Sequence, residues 1–86
     1  MNALHYAAGI NTTNTNIIQL LLNKISLNDI NHKSNNGDTP LDLCYLCNNS
    51  SIHQDIITLI RKHGGKANRF DINGNEVGRG NGDLND

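Results

Sequence analysis

The chain repeats itself at a fixed interval. Asn36-Gly37-Asp38-Thr39-Pro40-Leu41-Asp42-Leu43-Cys44 has a worn copy at Asn2-Ala3-Leu4-His5-Tyr6-Ala7-Ala8, with Leu4 thirty-seven residues ahead of Leu41. A third echo follows at the same interval: Asp71-Ile72-Asn73-Gly74-Asn75 repeats Ser34-Asn35-Asn36-Gly37-Asp38. A period in the thirties points to stacked helical repeats, each a small unit that buries its apolar face only against a neighbour.

Local chemistry agrees with that reading. Residues 3–10 read as a short helix with small residues on one side. Asn14 or Thr15 can cap a second helix, 16–25, whose Ile17, Ile18, Leu20, Leu21 and Leu22 form a broad apolar face. Residues 28–38 read as turn, with Asn36-Gly37 its strongest dipeptide. Thr39 then caps a helix that Pro40 opens at the first position, where a missing amide proton costs nothing. That helix runs through Leu41, Leu43, Cys44 and Leu46 to Cys47. Ser51 and Gln54 make a capping box for a last helix carrying Ile52, Ile56, Ile57, Leu59 and Ile60. Arg61-Lys62-His63 suits its negative end, and Gly64 supplies a left-handed C-cap.

Around Gly37-Asp38-Thr39-Pro40-Leu41-Asp42-Leu43 the chain resembles the ankyrin repeat family. The upstream Asp29-Ile30-Asn31 matches that family's approach to its β-turn finger. Ile17 to Leu22 matches the second-helix run, Ile56 to Ile60 repeats it, and Arg61 to Gly65 looks like the end of a terminal repeat. The resemblance covers about residues 2–77 and implies an all-α helix-turn-helix solenoid with β-turn fingers. Repeat one spans about 2–28, repeat two about 29–65, and a partial finger 66–77. Residues 78–86, polar and glycine-rich, are read as a disordered tail. The chain departs from the pattern in three places. Asp42 replaces the motif's histidine, which is His5 in the first copy. Repeat one has no preceding finger. Glu76-Val77 stands where Thr-Pro belongs in the third copy.

The resemblance implies protein–protein recognition without catalysis. It assigns partner contacts to Lys33, Asn35, Asn36 and Asp38 on the intact finger. It adds Phe70, Ile72, Asn73 and Asn75 on the partial finger, and Leu46 on a first helix. Phe70 stands out as an aromatic anchor, with packing of the terminal cap against Ile60 or Leu27 as its alternative role. His5, Gly37, Thr39, Pro40, Leu41 and Gly64 are assigned to the structural motif. Because about three stacked units are usual for a stable solenoid, further ankyrin repeats in a longer protein are expected, and a structural capping fragment is the alternative function.

Composition narrows the partners. Net charge is −1 with the basic residues scattered, so no phosphate-binding patch is expected and nucleic acid is excluded as a partner. No apolar run approaches the ~20 residues that span a bilayer, and Met1 to His5 lacks the basic start of a secretory leader. Two cysteines three residues apart do not make a disulfide framework, so a reducing, cytoplasmic setting is expected. Sixteen asparagines and the many isoleucines use AT-rich codons. With the ankyrin resemblance, that suggests a secreted effector of an intracellular microbe, acting in host cytosol.

Cys44 and Cys47 with His53 or His63 form a possible zinc series, although the histidine spacing is wide for a zinc site. Cys44 also replaces the small Ala7 of the first copy and is read mainly as core. Asp71 to Asn75 resembles the start of a calcium loop but lacks glycine at the sixth place and glutamate at the twelfth. No nucleophile has a base at a familiar spacing. No cofactor, no metal and no enzymatic activity are expected.

Overall fold

The computed structural model describes residues 3–9, 15–47, 51–78 and 80–84, with the side chains of 3, 9 and 51–53 outside the description. Among the described residues five helices follow one another: α1 Ala3–Gly9, α2 Thr15–Lys24, α3 Leu27–Ile30, α4 Pro40–Leu46 and α5 Ser51–Lys62. The α4 start follows from its capping chemistry. The Thr39 side chain accepts from the Asp42 amide at 3.3 Å, while Asp42 Oδ2 accepts from the Thr39 amide at 2.8 Å. Two amides that no helical carbonyl can reach are thereby satisfied. At the end of α5, Gly64 has φ +90°. The Gly65 amide returns to the Ile60 carbonyl at 2.8 Å and the Gly64 amide to that of Arg61 at 3.0 Å. This double return is the Schellman ending that a left-handed glycine permits. The cap read at Asn14 and the side chain of Ser51 lie outside the described residues, and Thr15 is the first residue of α2.

The short α3 overlaps the start of the segment read as turn. Ser26 caps it, accepting from the Asp29 amide at 3.2 Å. A helix of 4 residues is too short to show a helical period, so only the Ser26-x-x-Asp29 cap pattern could have announced it.

Helices α1 and α2 pack as one pair and α4 and α5 as the next, with α1 on α4 and α2 on α5. Leu4, Ile18, Leu41, Ile56 and Ile60 are fully buried between them. Small residues permit the α1–α4 approach: Ala7, Ala8 and Cys44 are all buried, and Cys44 Sγ lies 3.6 Å from the Ala8 carbonyl. Fully burying each large aliphatic side chain is worth about 1.5–3 kcal/mol.

The two turns are copies in hydrogen bonding as well as in sequence. Ser34 donates its amide to the Asp38 carbonyl at 2.8 Å, and Gly37 donates to Ser34 at 2.8 Å. Thirty-seven residues on, Asp71 donates to Asn75 and Gly74 to Asp71, both at 3.0 Å. Gly37 and Gly74 share φ values of 83° and 84°. The Ser34 hydroxyl accepts the amides of Asn36 and Asp38, and Asp71 Oδ1 accepts those of Asn73 and Asn75. Serine and aspartate thus fill one role, as oxygen acceptors that fold the backbone back onto their own side chains.

The segment read as a disordered tail is ordered where it is described. Gly80 and Gly82 donate to the Asn68 carbonyl, Asp83 to Phe70, and Leu84 to Ala67 at 2.9 Å. Asp83 also pairs with Arg61 at 2.6 Å. Gly82 is buried so closely that a Cβ there would lie 2.4 Å from the Phe70 carbonyl oxygen. The glycine-rich composition misled because this segment is held by backbone bonds and one ion pair, with little apolar burial of its own.

Candidate partner-binding surface

Among the residues assigned to partner contact, the structure separates tips from bases. Lys33, Asn35, Asn36, Asn73 and Asn75 are exposed, as are Leu46 at 46% and Ile72 at 74%. Asn36 and Asn73 occupy the same place in the two turns, so the surface repeats with the fold.

Two assigned residues are not available. Phe70 is only 7% exposed and stacks on Tyr45, ring centroids 4.9 Å apart. Its bridge partner across the third finger is Glu76. The aromatic anchor is therefore corrected: Phe70 is buried in the terminal cap, with the Tyr45 ring beside it and Ile60 in the same core cluster. Asp38 is also buried, held by Arg69 Nη2 at 3.2 Å from Oδ1. That pair joins the second finger to the third. Its backbone carbonyl takes a hydrogen bond from His5 Nε2 at 2.9 Å. Both of Asp38's polar ends are thus spent on holding the fold.

Two of the residues assigned to the structural motif bond to neighbouring repeats. His5 is fully buried. Burial lowers its pKa, although the bond to the Asp38 carbonyl pulls the other way. A carbonyl partner requires Nε2 to carry the proton. Thr39 adds a bond between repeats, donating to the Lys66 carbonyl at 2.8 Å.

Asp42, where the motif's histidine would stand, reverses the chemistry. A carboxylate cannot donate to a carbonyl as His5 does, so it collects donors instead. It accepts the amides of Asn68 at 3.0 Å and Arg69 at 2.9 Å, fastening the third finger to α4. Asn31 makes a similar clasp, donating to the Gly64 carbonyl and accepting the Lys66 amide at 2.7 Å.

The residue that sequence reasoning missed is Arg61. Its Nε and Nη2 donate to the Tyr45 hydroxyl at 3.0 and 2.7 Å, Nη1 reaches Asp83, and Nη2 also reaches the Asp71 carbonyl. Burial works against its charge, but the bonds to Tyr45 and Asp83 outweigh it and raise its pKa. In the sequence Arg61 read only as a helix-end cation. Nothing in a one-dimensional pattern reveals that three separate segments converge on it.

Among the described residues the cysteines gather no metal-holding group. Cys44 is fully buried, and burial pushes its thiol up to about 12, the opposite of what a thiolate ligand needs. His63 Nδ1 is engaged by the Leu59 carbonyl at 2.9 Å, and the His53 side chain lies outside the description. Among the described residues no three His, Cys, Asp or Glu side chains gather as a metal-holding group.

Helix pairs stacked in register, turn fingers repeating every thirty-seven residues and bonds between repeats at Thr39 and Asn31 define a repeat-protein scaffold. The family model for ankyrin repeats, in three copies, matches residues 1–71. The chain belongs to the ankyrin repeat family, whose modules generally mediate protein–protein interaction. Neither a curated protein nor a solved structure gives a significant match.

Proposed function

We propose that this chain is a non-catalytic recognition module whose contact edge consists of the finger tips Lys33, Asn35, Asn36, Ile72, Asn73 and Asn75, together with Leu46 of α4. One observation carries the reading: equivalent tip positions are exposed while the polar residues beneath them are tied into the scaffold. Asp38, Asp42, Asn68 and Arg69 are all engaged in holding the fingers. Substituting the tips therefore leaves the core untouched, which is how repeat proteins vary specificity on a constant frame. The tips carry mostly side-chain amides with one aliphatic residue. They suit an extended or polar protein surface offering hydrogen-bonding groups and an apolar side chain.

Selection of binders from a displayed protein-fragment library tests this. Binders of the wild-type chain should lose affinity by at least tenfold for Ile72→Asp or Asn73→Arg, with the thermal midpoint unchanged. Binders indifferent to every tip substitution would overturn the reading. A longer ankyrin array is a second reading, favoured by the apolar residues on the outer side of α1 and α2.

A further inference from the structure

Asparagine precedes glycine three times, at Asn36, Asn73 and Asn81. The three dipeptides are identical, but the fold treats them differently. Asn36 and Asn73 are exposed at equivalent places in the two turns. The amides that follow them, of Gly37 and Gly74, bond across the turn itself, to the Ser34 and Asp71 carbonyls at 2.8 and 3.0 Å. Local bonds at an exposed tip lie at the low end of the opening free energies within a fold.

Asn81 is exposed as well, but Gly82 beside it is buried. Its amide donates to the distant Asn68 carbonyl at 3.3 Å. A Cβ on Gly82 would lie 2.4 Å from the Phe70 carbonyl oxygen and 3.0 Å from that of Ala67. The amides of Asp83 and Leu84 bond to those same two carbonyls, and Arg61 holds the Asp83 side chain. Freeing the Gly82 amide therefore means lifting the whole 80–84 segment.

An asparagine side chain condenses with the next backbone nitrogen once that nitrogen is released from its hydrogen bond. Glycine leaves the approach open because it has no Cβ. We propose that Asn36 and Asn73 are sites of spontaneous deamidation, with water as the co-reactant, and that the fold protects Asn81. The Gly37 or Gly74 nitrogen gives its proton to hydroxide and attacks the asparagine Cγ. The N–Cγ bond forms, the Cγ–Nδ2 bond breaks, and Nδ2 takes a proton from water to leave as ammonia. Water then opens the succinimide ring at either carbonyl, giving aspartate or isoaspartate. No oxidant or reductant takes part.

Each conversion adds a negative charge to a chain whose net charge is −1. Isoaspartate at residue 36 also lengthens the backbone inside a turn that closes on Asp38, whose carbonyl holds His5. An effect on binding at the tips rests on the recognition function proposed, whereas the chemistry itself does not.

Trypsin places the three asparagines in separate peptides, 34–61, 70–79 and 80–86. The chain is incubated at pH 8 in water enriched in oxygen-18, which marks conversion before digestion, and fragment spectra locate the label. In the native chain Asn36 and Asn73 should convert roughly tenfold or more faster than Asn81. In denaturing urea the three rates should converge. Native conversion of Asn81 as fast as the tips, or tips as slow as Asn81, would overturn the proposal. A gap that survives in urea would overturn it too, because the difference would then belong to the flanking sequence and not to the fold.

Discussion

Replacing Phe70 by alanine separates the cap role from a contact role. The ring is nearly fully buried and stacks on Tyr45, which in turn holds Arg61. Buried Phe→Ala changes cost about 3–5 kcal/mol, the spread reflecting how far the site collapses. Phe70 lies at the end of the stack under a thin cover of glycine-rich chain, which can close in, so the lower end, about 3 kcal/mol, is expected. A domain of 86 residues has a total stability of roughly 4–13 kcal/mol. At about 4–8 °C per kcal/mol for this size, the midpoint should fall by roughly 12–24 °C. Thermal melts followed at 222 nm measure it, with Ile72→Ala, two residues away and exposed, as the control that should stay near the parent. A Phe70→Ala midpoint within about 4 °C of the parent would refute the burial argument and restore Phe70 as a surface anchor.

Three further outcomes follow from named groups. His5 has its pKa lowered by burial, so the unfolded chain takes up this proton first as pH falls. Stability from His5 is present above its ordinary value near 6.5 and is lost on acidification through the folded value. Urea midpoints should therefore drop between pH 7.5 and 5, and less steeply in His5→Gln. Asp83→Asn weakens a partly buried pair with Arg61 and should cost about 1–2 kcal/mol, between the exposed and buried cases. Faster exchange of the Leu84 amide should accompany it, whereas random-coil shifts for 80–84 in the parent would contradict the described cover. Cys44, with its thiol pushed up to about 12 by burial, should resist Ellman's reagent at pH 8 until urea unfolds the chain. Rapid titration of both thiols in the native protein would place Cys44 at the surface.

The repeat frame was legible because caps and periods are local. Thr39-Pro40, the isoleucines of α5 and Gly64 act within a turn or two of themselves. What was hidden depends on distant partners. Asp38 looks like a finger-tip carboxylate until Arg69 and His5, from either side of it in sequence, close on it. Phe70 looks exposed among polar neighbours until Tyr45 and the folded-back segment cover it. Arg61 and Asp83 are 22 residues apart, and no spacing rule connects them. Asp42 was visible as a departure from the motif. Its use as an acceptor for the Asn68 and Arg69 amides required knowing where the third finger lies.

Photo-crosslinking from single positions tests the proposed contact edge most directly. A benzophenone side chain placed in turn at Asn36, Leu46 and Asn73, and at Gln19 and Thr58 as controls, is irradiated in the presence of a binder selected against the wild-type chain. Adducts are expected from Asn36, Leu46 and Asn73 and none from Gln19 or Thr58. Adducts confined to Gln19 and Thr58 would contradict it, moving recognition from the finger edge to the groove between α2 and α5.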